Sequence, residues 1–129
     1  MNERFLALMA AGASCAWGSA ALAHHSLAAT YFLDQRVEIQ GSLRQFLFRN
    51  PHSFLEVTAP DKDGVMQEWT VEWGSGVLLT HTDVTAETLK PGDRLKITGA
   101  PGRDPSKHRI RVNSIERVSD HWKWSGTFG

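Results

Sequence analysis

The chain has 129 residues, and its 14 lysines and arginines are balanced by 14 aspartates and glutamates, so the formal net charge is zero. This length suits one small domain, and a neutral chain lacks the net positive surface on which nucleic-acid binding depends. Cysteine occurs once, at Cys15, which excludes a disulfide framework and thiolate metal sites from the rest of the chain.

The first 23 residues have the three-part pattern of a secretory signal peptide. A short polar start precedes an apolar run from Phe5 to Trp17, and small residues lead to Ala21-Leu22-Ala23. The apolar run is shorter than the roughly 20 residues of a membrane span. We therefore expect cleavage after Ala23, export to the periplasm and no stable membrane insertion afterwards. Acylation of Cys15, as in exported lipoproteins, is the alternative, although Gly12-Ala13-Ser14 lacks the usual large aliphatic residue.

Beyond residue 35, apolar residues recur with the period of two that is typical of β-strands. Gly41 and a change of apolar phase near Phe46 indicate a strongly bent or bulged first strand. After the third strand the period changes, which predicts a short helix over 75–83 and a capped turn over 85–89. A loop is expected over 99–106. The predicted strands are 36–49, 53–59, 66–73, 94–98 and 109–118.

Three strands, a helical insert and two further strands, with a bent first strand, is the order of an OB-type five-stranded barrel. A small β-sandwich is the main alternative, and both folds are mainly β. We expect a signal peptide at 1–23, an N-terminal arm at 24–35, the barrel at 36–118 and an aromatic C-terminal tail at 119–129. The predicted core consists of the inward apolar positions Val37, Ile39, Leu43, Leu55, Val57, Trp69, Val71, Trp73, Leu95, Ile97, Ile110, Val112, Ile115 and Val118.

Cleavage after Ala23 would give the mature chain a histidine, His24, as its first residue. Its free amine and its imidazole could chelate one transition-metal ion, and neutral nitrogen donors favour Cu(II). The ordinary pKa of such an amine is about 8, which leaves a deprotonated fraction at neutral pH. The sequence therefore predicts a copper site with His24, His25 and His52 as metal ligands, in which His25 is auxiliary. A solvated terminus without function is the alternative.

His52 follows Asn50-Pro51 at the junction of the first two strands. The inward apolar residues of the second strand place His52 on the outer face, where Glu72 of the third strand also lies. Two registers remain open, with His52 directly opposite Glu72 or diagonal to it. A carboxylate commonly orients a metal-binding imidazole, so Glu72 and Asn50 are the predicted supporting residues. An ordinary His–Glu hydrogen bond at a strand end is the alternative.

The tail contains two tryptophans, Trp122 and Trp124, which are predicted either as an exposed platform for a ligand or partner or as packing across the barrel mouth. His81 is expected to be partly buried on the helix, and His108 to be solvated in a charged loop. No nucleophile motif, glycine-rich phosphate loop or closely spaced acid pair supports catalysis. An oxidative enzyme with a histidine-brace copper centre is a third hypothesis, without a recognisable substrate cleft.

Four short motifs are spread over nearly all of the chain after residue 23. They are His24-His25-Ser26, Asn50-Pro51-His52, Trp69-Thr70-Val71-Glu72 and Leu89-Lys90-Pro91-Gly92-Asp93. Together they resemble those of a widespread group of small exported bacterial proteins of unknown function. Leu27, where phenylalanine is more usual, and Arg103-Asp104-Pro105-Ser106, in place of a Lys-Asp-Gly type of turn, depart from that pattern. The resemblance implies an OB-like periplasmic barrel and supplies no activity.

Two functions follow as hypotheses from these patterns. The first is an exported, periplasmic, non-enzymatic protein that binds copper or a similar ion through its N-terminal histidine. The second is a metal-independent OB-fold module that binds a small molecule, a glycan or an envelope protein. Nucleic acid is not an expected partner of either.

Overall fold

A computed structural model describes residues 27–126, so the predicted signal peptide, His24 and His25 lie outside the described residues. Five longer strands and one short strand make up most of this region, with two short helical segments between them. No helix of residues 27–126 has the length and apolar character needed to cross a membrane. The elements are β1 (Val37–Leu47), β2 (Phe54–Pro60), β3 (Met66–Glu72), α1 (Gly76–Thr80), β4 (Arg94–Pro101), a 3-10 turn (Pro105–Lys107), β5 (Arg109–Arg117) and β6 (Trp122–Ser125).

Strands β1 to β5 form a closed barrel. Each strand pairs with two others, in the cyclic order β1, β2, β3, β5, β4 and back to β1. The β3–β5 pair is parallel and the other pairs are antiparallel. This order, with α1 between β3 and β4, confirms the predicted mainly β, OB-like barrel.

The bend of β1 allows this strand to pair with β4 along its first half and with β2 along its second half. Residues 37–42 pair with β4 and residues 42–47 pair with β2, where Arg44 is an extra, bulged residue. A Cβ atom on Gly41 would lie 2.1 Å from the carbonyl oxygen of Thr58, so the two strands approach too closely for a side chain. The bulge also explains why the apolar phase changes after Leu43, as the sequence predicted.

The core lies inside the barrel and contains nearly all of the predicted apolar positions. A second bulge, at Asn113, turns both Val112 and Ile115 inward although they are three residues apart. Three predictions need correction. Val118 lies beyond the end of β5 and is 36% exposed. Val37 and Trp69 are half-buried and pack against the core from its edge.

Segment boundaries differ from the predictions at two other places. β4 continues past Thr98 to Pro101, because residues 99–101 still pair with β5. The helix α1 is shorter than predicted: Ser75 caps its start by accepting from the Leu78 amide, and His81 follows its last residue. His81 is exposed, not partly buried as expected.

The sixth strand, β6, was not predicted from the sequence. It pairs antiparallel with the second half of β5, and it carries Trp124 into the core. The ring of Trp124 meets that of Trp73 edge-on, with centroids 5.1 Å apart and planes at 77°. Trp73 is fully buried, so part of the expected tail completes the hydrophobic core.

Candidate functional site

The carboxylate of Glu72, at the end of β3, is the centre of a polar cluster. Glu72 is only 7% exposed. Its Oε1 lies 2.5 Å from Nδ1 of His52, and its Oε2 accepts a hydrogen bond of 2.5 Å from the hydroxyl of Tyr31. Nη2 of Arg109 lies 3.7 Å from the same Oε2. One buried carboxylate therefore holds three side chains that are distant in the sequence.

The β2–β3 hairpin brings His52 to this carboxylate. Phe54 pairs with Glu72, so His52, two residues earlier, lies diagonal to Glu72. This is the second of the two registers considered from the sequence. The pairing continues beyond the strands, because the Ser53 amide donates to the Gly74 carbonyl and the Trp73 amide donates to the Ser53 carbonyl.

The segment before His52 is fixed by contacts of its own. The Asn50–Pro51 peptide bond is cis. The side-chain oxygen of Asn50 accepts a hydrogen bond of 3.2 Å from the amide of Val77 in the first turn of α1. The contact observed for the Asn50 side chain is thus with the helix. His52 lines a shallow depression beside it, together with Phe54 and Glu72.

The position of Glu72 decides which nitrogen of His52 is available to a ligand. An ionised carboxylate can only accept, so Nδ1 of His52 must carry the proton in this hydrogen bond. In the neutral ring Nε2 is then the lone-pair nitrogen, and the side chain of His52 is 38% exposed. This arrangement of carboxylate, imidazole and free Nε2 is the one commonly found behind metal-bound histidines.

Burial and the nearby Glu72 carboxylate shift the pKa values of two neighbouring groups. Burial raises the pKa of Tyr31, and the adjacent carboxylate raises it further, so the hydroxyl remains a hydrogen-bond donor. Arg111, which pairs with Glu72 across the parallel β3–β5 ladder, is also buried. Burial lowers its pKa, whereas the charge of Glu72 acts in the opposite direction. Its Nη1 donates to the Trp73 carbonyl at 2.9 Å.

Sequence reasoning did not identify Tyr31, Arg109 or Arg111 as members of this cluster. Tyr31 is the single tyrosine of the chain and lies shortly after the predicted mature start, which was the available signal. The arginines alternate with inward residues of β5, but their closeness to Glu72 depends on the β3–β5 pairing that closes the barrel.

The structure separates the other predicted site residues from this cluster. Trp124 is buried and donates its indole N–H to Thr82, so it offers no open platform. Trp122 is half-buried beside the guanidinium of Arg117. His108 is half-buried against Trp69, in place of the solvated position expected.

Within residues 27–126, no three side chains of the histidine, cysteine, aspartate and glutamate types are arranged to hold a metal ion. Of the three predicted metal ligands, His52 lies within the described residues, and His24 and His25 lie outside them.

The sequence pattern of a family of unknown function, DUF6152, matches residues 13–111. The chain belongs to the DUF6152 family. The match extends over most of the barrel and includes His52, Glu72, Tyr31 and Arg109. Membership confirms the resemblance to a group of unknown function, and DUF6152 carries no assigned activity. No curated protein matches the chain.

Proposed function

We propose that this DUF6152 protein is exported to the periplasm and binds Cu(II) or a similar transition-metal ion without catalysing a reaction. The amine and imidazole of His24, exposed by cleavage after Ala23, would chelate the ion. Nε2 of His52 would add a further nitrogen, and His25 is the auxiliary ligand. Neutral nitrogen donors of this kind favour Cu(II).

The observation that supports the proposal is that the Glu72 carboxylate contacts both His52 and Tyr31. One oxygen holds His52 and the other holds Tyr31, at the end of the described part of the N-terminal arm. Residues 27–30 form a helical turn, and Tyr31 forms a β-bridge with Gly102. The arm is thereby attached to the barrel beside the predicted ligand.

Chain length limits how far the first mature residue can lie from His52. Six residues lie between His24 and Tyr31, and residues 27–30 form a helical turn with a rise of about 1.5 Å per residue. If residues 24–26 are extended at about 3.3 Å per residue, His24 lies within about 16 Å of Tyr31. The hydroxyl of Tyr31 and the ring of His52 contact the same carboxylate, so this span begins beside the predicted ligand.

A copper titration with matched proteins tests the chelate. One protein starts at His24 with a free amine, a second has the same start with the amine acetylated, and Cu(II) affinity is measured for both against a competing chelator. Acetylation removes the amine nitrogen as a donor, so we expect binding to weaken at least about tenfold. Equal affinities would rule out the chelate.

A second pair of variants tests His52 against a similar histidine. His52→Gln removes the imidazole but keeps a donor for Glu72, and His121→Gln does the same for the exposed His121–Glu116 pair, whose atoms are 3.0 Å apart. We expect roughly tenfold weaker copper binding for His52→Gln only. The same loss in both variants would show that copper binds surface histidines nonspecifically.

Export and metal content are measured on protein purified from the periplasm without an N-terminal tag. Mass analysis is expected to find a chain that starts at His24, and elemental analysis is expected to find bound copper. A mature start at another residue would remove the basis of the proposal.

A further inference from the structure

A cleft of about 520 Å³ lies on the barrel surface between the β2–β3 turn and the loop from β4 to β5. The turn contributes residues 61–63, and the segment 101–109 contributes all of its residues except Arg103 and Lys107. This volume is within the range of small-molecule sites in proteins. Neither His52 nor Glu72 lines the cleft, so it is a different site from the proposed copper site, although Arg109 lines the cleft and also contacts Glu72.

The apolar wall of the cleft includes the ring of Trp69. This side chain is half-buried, and its indole N–H donates to the Ala59 carbonyl at 3.1 Å. The polar edge of the ring is therefore already satisfied within the protein. His108 meets the ring edge-on at a centroid distance of 5.1 Å, and Val37 and Pro105 also line this wall.

Charges of both signs surround this apolar wall. Asp61, Asp63 and Asp104 supply three carboxylates, and Lys62 and Arg109 supply two cations. A hydrogen bond from Gln67 lowers the pKa of Asp61. Hydrogen bonds from Ser106 likewise lower the pKa of Asp104, so both carboxylates are ionised at neutral pH.

This mixture of charges selects against a strongly charged ligand. A phosphorylated ligand would face three carboxylates, and a polyamine would face Lys62 and Arg109. A neutral ligand with many hydroxyl groups avoids both conflicts, because a hydroxyl donates to carboxylates and accepts from cations.

From these observations we infer that the cleft binds a neutral carbohydrate of one or two sugar units. The C–H face of a pyranose packs on an aromatic ring while its hydroxyls bond the surrounding polar groups. Trp69 supplies the ring, and the charged residues of the turn and the loop supply the polar partners. Barrels of the OB type hold oligosaccharides in other proteins, so the fold accommodates this class of ligand.

The experiment uses the cleaved protein with a chelator present, so that metal binding plays no part. Cellobiose, maltose and N,N′-diacetylchitobiose are titrated to about 20 mM, well above a dissociation constant of roughly 1 mM. The readout is the NMR signal of the Trp69 indole N–H, which is assigned by its loss in Trp69→Leu. We expect a saturable shift of that signal with at least one of the three sugars.

Variants and charged probes make the test specific. Trp69→Leu should weaken binding about tenfold. Trp122→Leu, which removes a half-buried tryptophan of β6 that does not line the cleft, should leave binding unchanged. Asp63→Arg, at an exposed position of the turn, places bulk at the mouth of the cleft and should weaken binding even if Trp69→Leu does not fold. Glucose 6-phosphate and spermidine should bind more weakly than the best sugar. Absence of saturable binding for all three sugars, or tighter binding of either charged probe, would overturn the inference.

Discussion

Glu72 is a buried carboxylate whose two oxygens are contacted by three side chains. A buried charge is costly unless it is paired and hydrogen-bonded. Tyr31, His52 and Arg109 supply these partners from three separate parts of the chain. The cluster thus has a structural role in joining the arm to the barrel, whether or not His52 binds a metal.

The hydroxyl of Tyr31 should therefore contribute measurably to stability. Tyr31→Phe keeps the buried ring but removes the donor to Glu72, and a hydrogen bond to a charged group contributes about 1.5–3 kcal/mol. We expect the free energy of unfolding, measured by urea denaturation, to fall by roughly this amount.

The control for Tyr31→Phe is a hydroxyl-to-carboxylate hydrogen bond at the surface. Thr58 donates to Glu68 at 2.8 Å on the outside of β2 and β3, and Thr58→Val removes it. The expected change for this variant is within about 0.5 kcal/mol. Equal changes for the two variants would show that burial does not strengthen the Tyr31 contact.

Asp61 gives a prediction for the pH dependence of stability. Its carboxylate accepts hydrogen bonds from Gln67 and from the amides of Asp63 and Val65, and the first of these has the largest effect in lowering its pKa. A carboxylate with a lowered pKa in the folded state stabilises the fold above its ordinary value of 3.8. That stabilisation is lost as the pH falls through the lower, native pKa.

Asp61→Asn should therefore melt at a lower temperature than Asp63→Asn at neutral pH, although both variants lose one charge from the same turn. The gap between their melting temperatures should close as the pH is lowered below 3.8. A gap that stays constant in acid would contradict the role given to the ionised Asp61 carboxylate.

Strand positions were predictable where alternation is long and uninterrupted, as in β2 and β3. The strand β6 was not, because it has only four residues with small or polar neighbours, although it pairs with the strand directly before it through a four-residue turn. Short strands of this kind form because of tertiary packing, here of Trp124 on Trp73, and not because of local preference.

The close approach of β1 to β2 at the bend predicts that a side chain at position 41 destabilises the fold. Gly41→Ala would put a methyl group 2.1 Å from the Thr58 carbonyl oxygen, where backbone and not a flexible side chain must move. We expect a loss of roughly 3 kcal/mol or more in the free energy of unfolding, since overpacking between two strands distorts their pairing.

Ser42→Ala, at the next position of the same strand, is the matched control for Gly41→Ala. Ser42 is half-buried. Ser42→Ala removes a hydroxyl oxygen from this strand, whereas Gly41→Ala adds a methyl group. The expected change is within about 0.5 kcal/mol, measured by the same denaturation. A tolerated Gly41→Ala would mean that β1 and β2 can separate without cost at the bend.

For the molecule as a whole, the closed barrel followed from the order of its elements, but its polar cluster did not. The hairpin alternation was enough to place His52 and Glu72 on one face. Tyr31 and Arg109 reach the same carboxylate only after β3 pairs with β5 and the arm pairs with Gly102. Such non-local contacts leave no periodic pattern in the sequence.

Because Trp124 belongs to the same core cluster as Trp73, we expect β6 and the barrel to unfold in one cooperative transition. The two indoles, 5.1 Å apart and nearly perpendicular, should give a coupled pair of bands in the far-ultraviolet circular dichroism spectrum. That signal should disappear over the same temperature range as the sheet signal. Trp124→Phe should remove the coupled bands and Trp122→Phe should keep them. If the coupled bands were lost first, β6 would be an independent unit attached to a barrel that is stable without it.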